Sequence, residues 1–312
     1  MSKTIILYDF LMVKGGAEKL TLCLVENLAE AVLCVAFKDD NIFPDNSLGT
    51  IKLTELTKFT KLSGWQSIKS MIAFSYRTSF LKQYETILYS GIYSLVAINN
   101  HPNGKNILYC HTPPRFVYDL KDYYIQQASW WQKPLLKILR CYVKYHYEKA
   151  INQMDVIIAN SENVQGRIKH YLGRDSVVVY PPIDVDKFNW IEQGDFYLSI
   201  ARVEPYKRVE MIVRSFMSMP EKKLIVVSGG SHLEYLKNLS KQSTNINFIG
   251  WCDDQQLREM VGRCIATIYI PPDEDFGMSV VESMAAGKPV IGVAEGGLLE
   301  TIVDGKTGLL IA

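Results

Sequence analysis

The sequence predicts an α/β protein built of two doubly wound, Rossmann-like domains with a cleft between them. Three observations lead there. Short β-rich runs alternate with segments long enough for crossover helices, and the runs are apolar on both faces, as strands of a covered parallel sheet are. The series also breaks once and restarts, and 312 residues with 48% hydrophobic and 21% charged side chains are enough for two separate cores.

In chain order, the first series reads "TIILYD" from residue 4, "AVLCVAF" from 31, "ETILYS" from 85, "NILYCH" from 106, "DVIIANS" from 155 and "SVVVYPP" from 176. After the first run, "VKGGAEKL" places Gly15 and Gly16 at a strand-to-helix turn, where glycine is favoured. Prolines, acids and a glycine in "YPPIDVDKFNWIEQGD", 180–195, break the rhythm and divide the chain into domains 1–182 and 183–312. The second series follows as "FYLSIAR" from 196, "KLIVVSG" from 223, "INFIG" from 246, "IATIYIPP" from 265 and "PVIGVAEGG" from 289.

Composition excludes several classes. The N-terminus enters a β-branched segment directly, without the charged lead and cleavage site of a signal peptide, which predicts a cytoplasmic protein. The longest apolar stretch, 87–98, is too short to span a bilayer. Six cysteines form no C-x-x-C pair, so neither a zinc site nor a disulfide framework is expected. The net charge of +1 hides an asymmetry: residues 1–190 carry 22 Lys+Arg against 17 Asp+Glu, the remainder 12 against 16. The N-terminal half therefore suits an acidic surface or a phosphate-bearing acceptor, unless its excess is solvated decoration; no nucleic-acid partner is expected.

Ligands of open parallel sheets bind beyond the carboxyl ends of the strands. There "PPDEDFGMSVVESMAAGKPV", 271–290, turns from strand to helix at Gly277. The free N–H groups at Met278 and Ser279 and the positive end of the helix dipole suit a phosphate. Glu274 lies in the loop and Glu282 in the helix, so the two acids bracket a diphosphate with a sugar at each end, a carboxylate being able to accept from vicinal hydroxyls. Arg202 and Lys207, after the first strand of the second series, are the cations that would neutralise it. An acid at a helix start and a surface glutamate would look the same, so the spacing needs this context.

Together "SIARVEPYKRVEMIV", "EDFGMSVVESMAAGKPVIGVAEGGLLETIVDGKTGLLI", "IIANSENVQGRI" and "VVYPPIDVDKF" resemble the family 4 glycosyltransferases, retaining enzymes of GT-B architecture, over nearly the whole chain. The resemblance implies an N-terminal acceptor domain and a C-terminal nucleotide-sugar domain. It places Glu274 on the donor sugar, Glu282 on the nucleotide ribose, Arg202 and Lys207 on the diphosphate, and Gly15 and Gly16 near acceptor and donor phosphate. "YCHTPPRFVYDL" comes closest to mannosyltransferases of bacterial polysaccharide synthesis, which makes His111 a candidate at the reaction centre with Glu274; a lone strand-end histidine is more often structural. Arg115 would hold an acceptor phosphate or pack on Tyr118. The expected reaction moves a hexose, mannose from GDP-mannose by the branch resemblance, onto a hydroxyl of a lipid-linked or polysaccharide acceptor. Front-side attack is preferred to a Glu274 nucleophile. No cofactor and no metal are expected: of the two Asp-x-Asp patterns, 184–186 lies in the interdomain turn and 273–275 belongs to the acid loop, where cationic side chains take the metal's electrostatic part.

Residues 130–149, "WWQKPLLKILRCYVKYHYEK", read as a basic amphipathic helix. Such a helix can lie on an anionic membrane surface, giving a peripheral protein on the inner face; an ordinary domain helix with a solvated cationic face is the commoner reading. The family continues through further helices where this chain stops at "GKTGLLIA", so either the sequence is cut short or this member is, and closure around the donor is less certain. Competing functions are transfer from a UDP-sugar, nucleotide-sugar epimerisation and non-catalytic sugar-nucleotide binding. A nicotinamide dehydrogenase is weakest, since no G-x-G-x-x-G follows the first strand.

Overall fold

A computed structural model describes residues 3–60 and 65–312. Met1 and Ser2, where the reading of the N-terminus begins, lie outside them. The chain divides into two compact units, Met1–Tyr180 and Pro181–Ala312.

The first unit runs β1 (Thr4–Tyr8), α1 (Gly16–Asn27), β2 (Val32–Val35), β3 (Lys52–Glu55), α2 (Gln66–Tyr76), β4 (Thr86–Tyr89), β5 (Lys105–Cys110), α3 (Lys121–Gln127), α4 (Gln132–Ile151), β6 (Val156–Ala159), α5 (Glu162–Leu172) and β7 (Val177–Val178). Its seven strands are all parallel in the order β3-β2-β1-β4-β5-β6-β7. Alternation along each strand feeds two cores, one on each face: Ile5, Leu7, Ile87 and Tyr89 pack on one side, Ile6, Tyr8, Leu33 and Leu88 on the other. Full burial of each such aliphatic side chain is worth about 1.5–3 kcal/mol, which holds the helical layers on the sheet.

The second unit continues with β8 (Phe196–Ser199), α6 (Val209–Met217), β9 (Lys223–Val227), α7 (Leu233–Leu239), β10 (Ile246–Gly250), α8 (Asp254–Arg263), β11 (Thr267–Tyr269), α9 (Met278–Ala285), β12 (Val290–Val293), α10 (Leu298–Thr301) and β13 (Gly308–Ile311). Its sheet is parallel in the order β10-β9-β8-β11-β12-β13. The order reverses between β8 and β11, and at such a switch point the loops leaving the two strands diverge to make a crevice. Every strand read from the sequence is present. Two were not anticipated, β3 and β13, and both are edge strands.

Candidate functional site

In the second unit the loops after β8 and β11 bring the sequence candidates together. Lys207 and Glu274 are 67 residues apart in sequence, yet Lys207 Nζ donates to Glu274 Oε2 at 2.7 Å, with each side chain only 14% exposed. The expectation of an acid on the sugar and a cation on the diphosphate did not anticipate that the two charges face each other directly. Tyr269, buried at the end of β11, adds a hydroxyl hydrogen bond to Glu274. Burial, then the Glu274 charge, pushes the Tyr269 phenol well above its ordinary pKa; the nearby Arg202 guanidinium works against this. Arg202, Lys207 and Glu274 thus form one electrostatic cluster.

The backbone around the cluster is strained where the sheet hands over to its loops. Arg208 and Asp273, in the loops that follow β8 and β11, hold φ of 58° and 47°. Non-glycine residues adopt such angles at a cost of order 1–3 kcal/mol and keep them only when neighbours enforce them. The enforcement is visible: Arg208 Nη1 donates to Glu295 Oε1 at 2.8 Å, and the other oxygen of Glu295 accepts from the Asp273 main-chain N–H. Gly277, with φ 85°, ends the loop and opens α9. Met278 and Ser279 occupy the first turn and Glu282 begins the second, half-buried.

Sequence reasoning missed the clamp under the acid loop. The Gly297 N–H donates to Glu274 O at 2.7 Å, and a Cβ on Gly297 would stand 2.4 Å from Asp275 O. The signal was present as the glycine pair of "AEGG", read only as the end of a strand run. Of the two Asp-x-Asp patterns, the first has the Asp184 carboxylate paired with Lys187 at 2.7 Å; in the second, Asp273 is held through its main-chain N–H, which donates to Glu295. No group of three or more His, Cys, Asp or Glu side chains placed to hold a metal occurs among the described residues.

In the first unit His111 stands one residue beyond β5, with Nε2 2.8 Å from Ser90 Oγ, itself one residue beyond the neighbouring β4. Ser90 Oγ is 2.8 Å from Thr21 Oγ1 on α1. Burial lowers the His111 pKa to about 4, opposed in part by a main-chain hydrogen bond at Ser90, so the ring is neutral near pH 7 although an edge stays exposed. Gly16 begins α1, and the Gly15 N–H donates to Glu18 Oε2 at 3.2 Å; a Cβ at Gly15 would sit 2.7 Å from that oxygen and would displace the end of the Glu18 side chain. Arg115 Nε donates to Asp119 Oδ2 at 2.7 Å, and Arg167 Nη2 lies 3.7 Å from the same oxygen. Tyr118 stacks on Tyr171, at 4.8 Å between ring centroids.

The helix read from 130–149 is α4. Its buried side is Val143, Tyr147, Ala150 and Ile151, while Leu135, Ile138, Tyr142 and Tyr145 face solvent at helical spacing, preceded by the exposed Trp130 and Trp131. Lys137 and Lys144 are exposed beside this stripe. The outward face is therefore apolar and aromatic with cationic flanks, not the purely cationic face of an ordinary surface helix. No helix among the described residues is long and apolar enough to cross a membrane.

Two parallel α/β units, each with its loops gathered at the carboxyl ends of its strands, are the architecture of the GT-B glycosyltransferases. The chain belongs to glycosyltransferase family 4: the family model described as Glycosyltransferase Family 4 matches residues 14–187, and that described as Glycosyl transferases group 1 matches 181–312. Among curated relatives it is similar to the α-1,3/1,6-mannosyltransferase ALG2 of Dictyostelium discoideum, 25% identical over 293 residues, 78% of this chain and 67% of that one. The mouse ALG2 is 25% identical over 65% of this chain and 55% of the relative. The chain thus spans between about half and two thirds of the length of such relatives. Among solved structures, Anabaena HepE in complex with UDP and glucose superposes with a TM-score of 0.73 at 17% identity, covering 100% of this chain and 86% of that one. The sucrose-phosphate synthase of Thermosynechococcus elongatus gives 0.72 at 18%, covering 99% and 86%. These neighbours share the GT-B fold.

Proposed function

We propose that this protein transfers mannose from GDP-mannose, with retention of anomeric configuration, to a hydroxyl of a lipid-linked or polysaccharide acceptor. Membership of the family supports transfer of a sugar, and the mannosyltransferase names of its relatives support the sugar chosen. The observation that carries the reading is the Lys207–Glu274 pair beside the glycine-opened start of α9, with Arg202 in its field. The second unit is the donor side and the first the acceptor side.

In the transition state positive charge develops at the anomeric carbon and negative charge on the departing diphosphate. Lys207, Arg202 and the N–H groups of Met278 and Ser279 bind the diphosphate and stabilise its added charge. A phosphate oxygen competes with Glu274 for the Lys207 ammonium; the carboxylate so released turns to the sugar hydroxyls. Glu282 takes the ribose, and His111, neutral, takes a sugar hydroxyl. The leaving phosphate accepts the acceptor's proton, so Glu274 orients the sugar and does not attack it. Gly15 and Gly16 keep the turn before α1 open to the acceptor, and Arg115 sets the charge there with Asp119. The exposed apolar stripe of α4 supports peripheral seating on an anionic membrane surface, where a lipid-linked acceptor resides.

Thermal shift against GDP-mannose, UDP-glucose and UDP-N-acetylglucosamine tests the donor. A ligand present at about 100 times its Kd stabilises the native chain by about 2.7 kcal/mol. Stabilisation by UDP-sugars alone would replace the donor, and stabilisation by none would overturn the reading. Turnover of donor into another sugar nucleotide without acceptor would make the protein an epimerase.

A further inference from the structure

Three short contacts run in line from α1 to the end of β5. Thr21 Oγ1 lies 2.8 Å from Ala17 O, the Thr21 and Ser90 hydroxyl oxygens are 2.8 Å apart, and Ser90 Oγ lies 2.8 Å from His111 Nε2. Each contact needs one proton between its heavy atoms. The two hydroxyls supply two, and the Ala17 carbonyl supplies none. The third proton must therefore sit on the imidazole at Nε2: Thr21 donates to Ala17, Ser90 to Thr21, and His111 to Ser90. With the ring proton on Nδ1 instead, one of the three contacts would be two lone pairs facing each other at 2.8 Å. A doubly protonated ring would also fill the chain, but burial keeps that form below about pH 4.

The chain is held rigidly enough to choose. Thr21 and Ser90 are fully buried. The Ser90 N–H donates to Leu7 O, and the turn that follows is pinned by Asp9, whose carboxylate accepts from the main-chain N–H groups of Ile92, Tyr93 and Ser94, each at 2.8 Å. Among the described residues the His111 ring is hydrogen-bonded to Ser90, at that hydroxyl and at a main-chain group.

We propose that Thr21 and Ser90 are positioning residues that hold His111 in its Nε2–H tautomer, keeping Nδ1 as a lone-pair acceptor for a hydroxyl of the bound sugar. A lone pair accepts from O–H and repels phosphate oxygens, so the tautomer decides that this histidine reads the sugar and not the diphosphate. The use made of Nδ1 rests on the glycosyl-transfer reading; the tautomer does not.

The test is long-range proton–nitrogen correlation on the full chain carrying ¹⁵N-histidine, at pH 7, with the His111 signals assigned by their loss in His111→Gln. The expected result is a neutral ring protonated at Nε2. Thr21→Val removes the acceptor of the Ser90 proton, freeing Ser90 to donate to the ring, so the Nδ1–H form should become substantially populated; Thr21→Ser should restore the native pattern. Turnover should follow, with kcat down about tenfold in Thr21→Val, KM for the donor changed less, and Thr21→Ser close to the parent. A native ring protonated at Nδ1 would overturn the proposal even if every variant failed to fold. So would a tautomer unaltered in both Thr21→Val and Ser90→Ala. A chain with the expected tautomer that transfers no sugar would instead remove the functional reading and leave the relay standing.

Discussion

Breaking the Lys207–Glu274 pair should destabilise the second unit, and should do so non-additively. At 2.7 Å and an effective dielectric of about 20, two unit charges attract by about 6 kcal/mol. With both side chains 14% exposed, removing the ions from water costs several kcal/mol each, which leaves a net coupling of about 2 kcal/mol, in the range of hydrogen bonds to charged groups. Lys207→Met strands a carboxylate that keeps the Tyr269 hydroxyl as donor; Glu274→Gln leaves the ammonium facing a neutral amide oxygen, with the Tyr206 ring 5.6 Å away. Each single change should therefore cost about 3 kcal/mol, and the double change about 2 kcal/mol less than the two summed. Native-state amide exchange at Thr267–Tyr269, in the middle of the sheet, reports the opening of this unit without assuming that the whole chain unfolds in one step. Costs that add to within about 0.5 kcal/mol would refute the reasoning. The functional reading gives the same pair a second signature of opposite signs. Glu274→Gln leaves Lys207 without its competitor, so GDP should bind more tightly while transfer falls by about 10²-fold or more. Weaker GDP binding, or nearly full transfer, would remove the exchange of partners from the mechanism.

The His111 pKa of about 4 lies below the ordinary 6.5, so between these values the unfolded chain binds more protons than the native one, and stability is lost as pH falls from 6.5 towards 4. Across that window the parent should lose up to about 3 kcal/mol more than His111→Gln in urea unfolding, an upper figure because the ring keeps an exposed edge; equal losses would contradict it. Gly297→Ala should cost about 1–3 kcal/mol in the second unit and abolish transfer by displacing the acid loop, and unchanged exchange at Thr267–Tyr269 would show that the loop can move aside. Ile138→Glu with Tyr142→Glu should abolish cosedimentation with anionic vesicles, while Lys137→Ala with Lys144→Ala should weaken it by about 1 kcal/mol per lysine; binding unmoved by either pair would remove α4 as the seating face, and no binding by the parent would remove the membrane surface as a partner. Transfer should survive a chelator, and its complete loss would call for a metal that the cationic cluster does not replace.

How much of this was legible in the sequence follows from what each signal needs. Central strands such as "TIILYD" and "KLIVVSG" are buried on both faces and announce themselves as apolar runs. The edge strand β3, "KLTE", has both ends exposed and only one apolar side chain, so its backbone pairing with β2 is invisible to a hydrophobic pattern. β13 is four residues against β12 and was absorbed into the motif around it. At the site, the short-range features were readable, because Gly277 and the acids of its loop and helix are neighbours in sequence. Lys207 with Glu274, Thr21 with Ser90, and Gly297 under the acid loop join residues brought together only by parallel crossovers.

Those long-range joins share one place, the carboxyl edge of each sheet, and the consequence is testable as a pattern. Residues one or two positions beyond a parallel strand have left the ladder's main-chain bonds but are still aimed by the strand's register. They can therefore take positive φ, as Ser228 does, or end on a side-chain contact, as Ser90 and His111 do, without unsettling the cores beneath. Strain there costs stability and returns positional definition. Relaxing it should separate the two quantities: Asp273→Gly removes the penalty of φ 47° while leaving its main-chain N–H to Glu295. That variant should match or exceed the parent in thermal stability and transfer sugar more slowly, because the acid loop gains conformations in which Glu274 is misplaced. A variant both less stable and fully active would show that the Asp273 side chain supports the fold and that the loop's geometry is set elsewhere.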